Sequence, residues 1–223
     1  LTEEALDQSI ASGDRYGVAI CLYNLADCVR RRGEIANAWG RYRESLIISE
    51  ELGERQLVSR NLDRIAELLA ATGLSRPAAR LLGIAAALRH EIGDALFPSE
   101  EAFVAETTAT ARAALGDEVF EAAWDIGASL APDRAIAEAL ALDLPPENAA
   151  HAARLRARLK LGLTTREVEV LQLVAAGQAD KEIATALAIS HNTASKHVAA
   201  LRAKLEAPSR TGAVNAARGA GLL

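Results

Sequence analysis

The chain has 223 residues, of which 50% are hydrophobic, 25% charged and 4% aromatic; that excludes a disordered polymer and provides for one long core or two modest ones. Its net charge of -5 hides a split: residues 151–223 hold 11 Lys and Arg against 5 Asp and Glu, whereas residues 1–150 hold 14 against 25. Opposed halves predict two domains, the second turned toward a polyanion. No run approaches the ~20 apolar residues of a membrane span, and Leu1-Thr2-Glu3-Glu4 is not a signal sequence. Neither a membrane partner nor export is expected, and the lack of any Met reads as a piece of something longer.

Period-two alternation is absent, and Ala, Leu, Arg and Glu dominate, so the whole chain is expected to be helical. A shift of 40 residues pairs Gly13 with Gly53, Arg15 with Arg55, Val18 with Val58, Leu22 with Leu62, Ala26 with Ala66, Gly33 with Gly73 and Ala38 with Ala78. This period predicts helical hairpins closed by glycine C-caps. Leu22, Leu25, Ala26, Val29, Ala38, Tyr42 and Ser45 form a pattern that resembles the tetratricopeptide repeat. Leu62, Ile65, Ala66, Leu69, Ala78, Leu82 and Ala85 repeat it, at a spacing longer than the usual ~34 residues. Small residues let antiparallel helices approach while large ones fill the seam. Cys21 and Cys28, two turns apart on one helix, are too distant for a disulfide and are expected to be buried apolar residues, which suits a reducing compartment.

Three more helices are expected over 94–142, starting at Ser99 with Glu100 and Glu101, at Gly116-Asp117 and at Pro132, as a terminal cap. Phe97, Phe103, Phe120 and Trp124 are assigned to its core. Residues 143–160 are read as a linker, opened by Leu144-Pro145-Pro146. Its basic run Arg154, Arg156, Arg158 and Lys160 is either a solvated helix or a strip along DNA phosphates. The expected organisation is therefore a repeat domain over 1–142, the linker, and a second domain over 161–223.

That last segment carries the most information. Thr164 with Glu167 predicts a capping box, Val168, Leu171, Val174 and Ala175 an apolar helical stripe, and Gly177 its end. A short helix around 181–187 follows, then a tight turn at Ala188-Ile189, a helix capped by Ser190, and a last helix over 211–218 capped by Ser209. On the third helix Ala194, Val198, Leu201 and Leu205 lie within about 40° of Ala194's direction and should face inward. Asn192, Ser195, Lys196, Ala199 and Ala203 then form a small polar face, the shape of a helix-turn-helix whose second helix, about 191–205, enters the major groove. His191 at the helix start suits a phosphate, and His197, nearer the inward flank, a structural hydrogen bond.

Leu163-Thr164-Thr165-Arg166-Glu167, Lys181-Glu182-Ile183-Ala184, Ile189-Ser190 with Thr193, and Lys204-Leu205 with Ser209-Arg210 together resemble the DNA-binding domain of the LuxR family. The resemblance implies an all-α fold, a four-helix domain and double-stranded DNA as partner. It implies phosphate contacts at Lys181 and around Ser190 and His191, and base-facing residues at Ser195, Lys196 and Ala199. Thr193 would orient the helix or touch the backbone, Arg202 is a further candidate contact, and the helix over 211–218 would serve as a dimer face. This chain departs from the family at Ala194 for the usual Val, Ala179 for a common Ser and Ser195 for a frequent Lys. Lys196 and Asn192 remain as the strong readers, so paired sites and a homodimer are expected. Helical repeats ahead of such a domain resemble the large LuxR regulators, where an ATPase module comes first; an effector would act at the repeats. A bacterial, cytoplasmic, nucleoid-associated regulator is expected, with a protein-binding scaffold or a sigma-like promoter contact as alternatives. Neither a metal-ligand spacing nor a phosphate loop is present, so no cofactor and no enzymatic activity are expected.

Overall fold

The computed structural model describes residues 3–142 and 149–223; positions 143–148 of the expected linker lie outside the described residues. The described residues form thirteen α-helices and no strand. They are α1 (Glu3–Ser12), α2 (Arg15–Arg30), α3 (Ile35–Leu52), α4 (Arg55–Ala71), α5 (Ser75–Ile92), α6 (Pro98–Leu115), α7 (Asp117–Ala128), α8 (Pro132–Ala141), α9 (Ala149–Lys160), α10 (Thr165–Ala175), α11 (Asp180–Ala186), α12 (His191–Lys204) and α13 (Arg210–Gly219). Two compact units result. The described residues up to Cys21 and from Ala149 onward form one, and those from Leu22 to Leu142 form the other.

The 40-residue period is visible in the backbone. α2 and α4 begin at Arg15 and Arg55, and α3 and α5 run from Ile35 and Ser75 to Leu52 and Ile92. Gly53 and Gly93 end α3 and α5 in the left-handed region, at φ 72° and 66°, where a Cβ would be strained. All seven positions of the first expected pattern and all seven of the second are buried. Cys21 is buried as expected, but Cys28 is exposed: it sits in the last turn of α2, beside rather than within the Leu25–Ala26–Val29 face.

Polar groups are threaded through the repeat seam, and apolar periodicity does not announce them. Asn61 donates to Ser45 Oγ at 3.0 Å and to the Leu57 carbonyl at 2.9 Å. Tyr42 donates to Asp27 at 2.6 Å, and Arg30 to Glu67 at 2.7 Å. Asp63 on α4 is fully buried as well, and takes a hydrogen bond from Arg89 on α5.

α6, α7 and α8 pack against α5, with Phe120 and Trp124 5.8 Å apart, between ring centroids, beneath them. Phe97 is a correction: it is 65% exposed rather than core. The helix starts one residue earlier than expected, with Pro98 in its first turn, so Phe97 becomes the extended N-cap and its ring leaves the packed face. Glu100 accepts from the Phe97 N–H at 2.9 Å, holding that start in place.

α5 and α7 cross backbone to backbone at two glycines. A Cβ on Gly83 would lie 2.3 Å from the Trp124 carbonyl oxygen, and one on Gly127 2.1 Å from that of Arg80. At an open helical site Gly→Ala stabilises by about 1 kcal/mol. Here Gly127→Ala is expected to destabilise instead, by about 1–3 kcal/mol or more, because the helices must separate. Urea unfolding checks the sign; a gain in stability would show that the helices do not touch there.

In the other unit Leu163, Val170, Leu171, Val174, Ile183, Ala184, Ala194, Val198 and Leu201 form the centre of a small core closed by α13 through Ala213, Val214 and Ala217. α1 joins this unit through Asp7, whose carboxylate accepts from the Thr165 N–H at 2.8 Å and from Arg158. A carboxylate at a helix start satisfies an orphan donor and complements the dipole. The expected linker from Ala149 on is the helix α9, where Leu155 is buried and Arg158 also donates to the Leu163 carbonyl at 3.0 Å.

Candidate nucleic-acid interface

Three helices set the geometry of the strip, and each is pinned by chemistry written nearby. Thr164 caps α10, and the Thr164 N–H donates back to Glu167 at 2.8 Å, which is the expected capping box. Burial alone would raise the Glu167 carboxyl. The 2.7 Å hydrogen bond from Lys204, with those from Thr164, instead holds it below the ordinary carboxylate range. Lys204 also donates to the Gly162 carbonyl at 2.7 Å, so the far end of α12 is moored to the start of α10. Arg166 donates to the Leu187 carbonyl at 2.7 Å, tying α10 to the end of α11.

The turn between α11 and α12 is tight because Ala188 takes φ 51°. The Ile189 N–H reaches the Ala184 carbonyl at 2.9 Å and the Ala188 N–H reaches Thr185 at 3.3 Å, the double closure of a Schellman ending. Glycine is the usual residue there, and Ala tolerates the position at a steric cost of about 1–2 kcal/mol. Ala179, at the other end of α11, offers no side-chain cap, but Glu182 accepts its N–H at 2.7 Å. Ser190 caps α12, accepting from the Thr193 N–H at 3.1 Å and sharing a 2.8 Å bond with the Thr193 hydroxyl.

α12 then divides as its periodicity requires. Ala194, Val198 and Leu201 are buried, Asn192, Lys196, Ala199 and Ala203 are exposed on the opposite side, and His191 is exposed as the first residue of the helix. Ser190 and Lys181 are exposed at the starts of α12 and α11. His197 is half-buried on the flank. Along the C-terminal half of α12 runs a hollow of about 530 Å³, lined by Ala199, Arg202, Ala203, Glu206, Ala207 and Pro208.

The other candidates are half-buried and already hydrogen-bonded within the domain. Thr193 is half-buried and engaged in the Ser190 cap. Arg202 donates to the carbonyls of Ala207 and Pro208 and so ties down the turn after α12. Ser195, also half-buried, donates to Asp180 at 2.7 Å. Asp180 accepts from Arg210 of α13 as well, and Arg210 donates in addition to the Gln178 carbonyl. The Ser195 bond first, then, against some desolvation, the bond and charge of Arg210 and the charge of His191, hold the Asp180 carboxyl below its usual range. Asp180 and Arg210 were not among the candidates: they stand 15 and 15 residues from Ser195 on either side, and only the packing brings them together.

Among the described residues no group of three or more His, Cys, Asp or Glu could hold a metal ion, and no helix is long and apolar enough to cross a membrane.

Comparison with known proteins agrees with this geometry. Residues 161–217 match the family described as bacterial regulatory proteins, luxR family. A protein of Mycobacterium tuberculosis, named provisionally as an HTH-type transcriptional regulator, is 33% identical over 186 residues, covering 83% of this chain and 20% of that protein. The chain thus spans only about a fifth of the length of that relative. The uncharacterized transcriptional regulatory protein YhcZ of Bacillus subtilis is 53% identical over 49 residues, 22% of this chain and 23% of its own. The response regulator protein VraR of Staphylococcus aureus is 46% identical over 59 residues, 26% of this chain and 28% of its own. No solved structure matches. With the two short helices, the tight turn and the half-open third helix all in place, the C-terminal segment is a helix-turn-helix domain of the luxR family of bacterial regulatory proteins.

Proposed function

We propose that this chain belongs to a sequence-specific DNA-binding transcriptional regulator of the bacterial cytoplasm, acting at the nucleoid. Residues 161–223 bind double-stranded DNA, and the repeats within 1–142 couple binding to a protein or small-molecule effector. The observation that carries the reading is the division of α12: one side is locked into the core by Ala194, Val198 and Leu201, and the other is an open strip of short and polar side chains. Such a strip lets a helix sink to the floor of a major groove, where long side chains would hold it off. Lys181, Ser190 and His191 meet phosphates at the two helix starts, while Asn192, Ser195, Lys196 and Ala199 face base edges. Thr193 and Arg202 hold the frame of that face.

A lone module with two strong readers discriminates weakly, so two copies would bind paired half-sites, with α13 as the contact between them. The full 223-residue chain is expected to retard duplex DNA at low ionic strength, with log K falling linearly against log salt as phosphate contacts release counterions. Selection from random duplexes would then return a motif repeated at a fixed spacing. Failure to retard any duplex at low salt would sink the reading in favour of a protein-binding scaffold.

A further inference from the structure

Ser195 stands where a base reader is expected, yet its hydroxyl is already committed. A serine hydroxyl has one hydrogen to give and two lone pairs to receive with. In this domain Ser195 gives that hydrogen to Asp180 Oδ2 at 2.7 Å. An ionised carboxylate accepts and cannot donate, so the direction of the bond is fixed. Asp180 is itself immobilised from the other side, where its Oδ1 takes the guanidinium of Arg210, and Arg210 is anchored in turn on the Gln178 carbonyl. What Ser195 can still offer outward is lone pairs alone.

The major groove supplies only two hydrogen-bond donors, the N6 amino group of adenine and the N4 amino group of cytosine; guanine and thymine present acceptors. Ser195 lies one turn from both Asn192 and Ala199, on the flank of the exposed strip. We propose that the Asp180–Ser195 pair makes Ser195 an acceptor-only base reader, selecting the exocyclic amino group of adenine or cytosine and rejecting the keto edges of guanine and thymine. This inference rests on the DNA-binding reading and adds to it which base edge one position takes and which half-buried pair dictates the choice. Asp180 and Arg210 are positioning residues: they touch no base and act through the hydroxyl of Ser195.

The arrangement also says what Asp180→Asn does. Arg210 continues to demand an oxygen on its side, so the asparagine Nδ2 turns to Ser195 and donates to it. The hydroxyl hydrogen is then released toward the groove, and Ser195 becomes able to donate to guanine or thymine.

The test uses the full chain on a duplex chosen by selection. Each adenine in turn is replaced by purine, which lacks the N6 amino group, and each cytosine by 2-pyrimidinone, which lacks the N4 amino group. One replacement is expected to weaken the wild-type chain about fivefold, one hydrogen bond's worth, while leaving Ser195→Ala no weaker than it already is. Any weakening of the base pair itself is common to both proteins and cancels. Asp180→Asn, provided it melts like the wild type, keeps one lone pair and gains a free hydrogen on Ser195, so it is expected to bind guanine or thymine at that position nearly as well as the selected base, where the wild type loses about fivefold. Equal losses for wild type and Ser195→Ala at every amino group would overturn the proposal, and so would a folded Asp180→Asn that rejected guanine and thymine at that position as strongly as the wild type does. Should Asp180→Asn fail to fold, the Ser195→Ala comparison decides alone. A wild-type chain that bound no duplex at all would remove the DNA-binding reading and this inference with it, an outcome plainly distinct from binding without the coupling.

Discussion

Asp63→Ala should lower the unfolding free energy by about 3–5 kcal/mol, the usual cost of stripping one partner from a buried ion pair. Asp63 is fully buried on α4, and Arg89 on α5 is 8% exposed, so the carboxylate has no water to fall back on and the guanidinium little. Burial pushes the Asp63 carboxyl up, to about 7, against the pull of the Arg89 guanidinium. One of its oxygens, Oδ1, has no hydrogen-bond partner among the described residues, so the pair holds together without being fully satisfied. Alanine would leave a guanidinium enclosed between two repeat helices with nothing to receive its protons. The companion experiment is the double substitution Asp63→Leu with Arg89→Met, which removes both charges and fills the space. It should recover most of the loss, since apolar replacement of a whole buried pair is often neutral or better. Urea unfolding of the single and double variants measures both. A loss under 1 kcal/mol for Asp63→Ala would mean that the seam opens to water around Arg89.

Lys196→Ala should weaken binding to a selected site by roughly 10- to 100-fold, as expected of a lost base contact worth about 1–3 kcal/mol, and should relax selection at one base position. Its effect on random duplexes should be only a few-fold, since one phosphate-scale attraction is all that disappears there. Lys181→Ala should behave differently, weakening specific and random sites alike and reducing the salt slope by about one. The contrast follows from placement. Lys196 stands mid-strip on α12, and Lys181 is in the first turn of α11, beside the helix rather than along its exposed face. Titration of a selected and a scrambled duplex at several salt concentrations separates the two. Equal losses on both duplexes for both variants would dissolve the division between groove and backbone roles.

Much of this fold is readable in the chain because its signals are local. Glycines at 40-residue intervals and repeated small positions such as Ala26, Ala66, Ala38 and Ala78 give the hairpins, and all four are fully buried. Thr164 with Glu167, Ser190 and Ser209 mark helix starts within three or four residues, and each makes the expected cap. Phe97 and Cys28 show where such reading goes astray. Both are residues of core type at the edge of an element, where a shift of one residue or one turn takes the side chain out of the packed face.

By itself the sequence determined the helical class, the repeat period, the trihelical core around Ala194, Val198 and Leu201, and the open side of α12, because hydrophobic periodicity and capping act over one or two turns. Only the tertiary structure decided the pairings that cross between helices: Asp63 with Arg89, Gly83 and Gly127 at a backbone crossing, Asp7 on the start of α10, and Asp180 between Ser195 and Arg210. A charge or a glycine carries no mark of its distant partner. Which polar groups meet is settled when the helices close on one another, and in the helix-turn-helix domain that closure dictates which way a serine proton points.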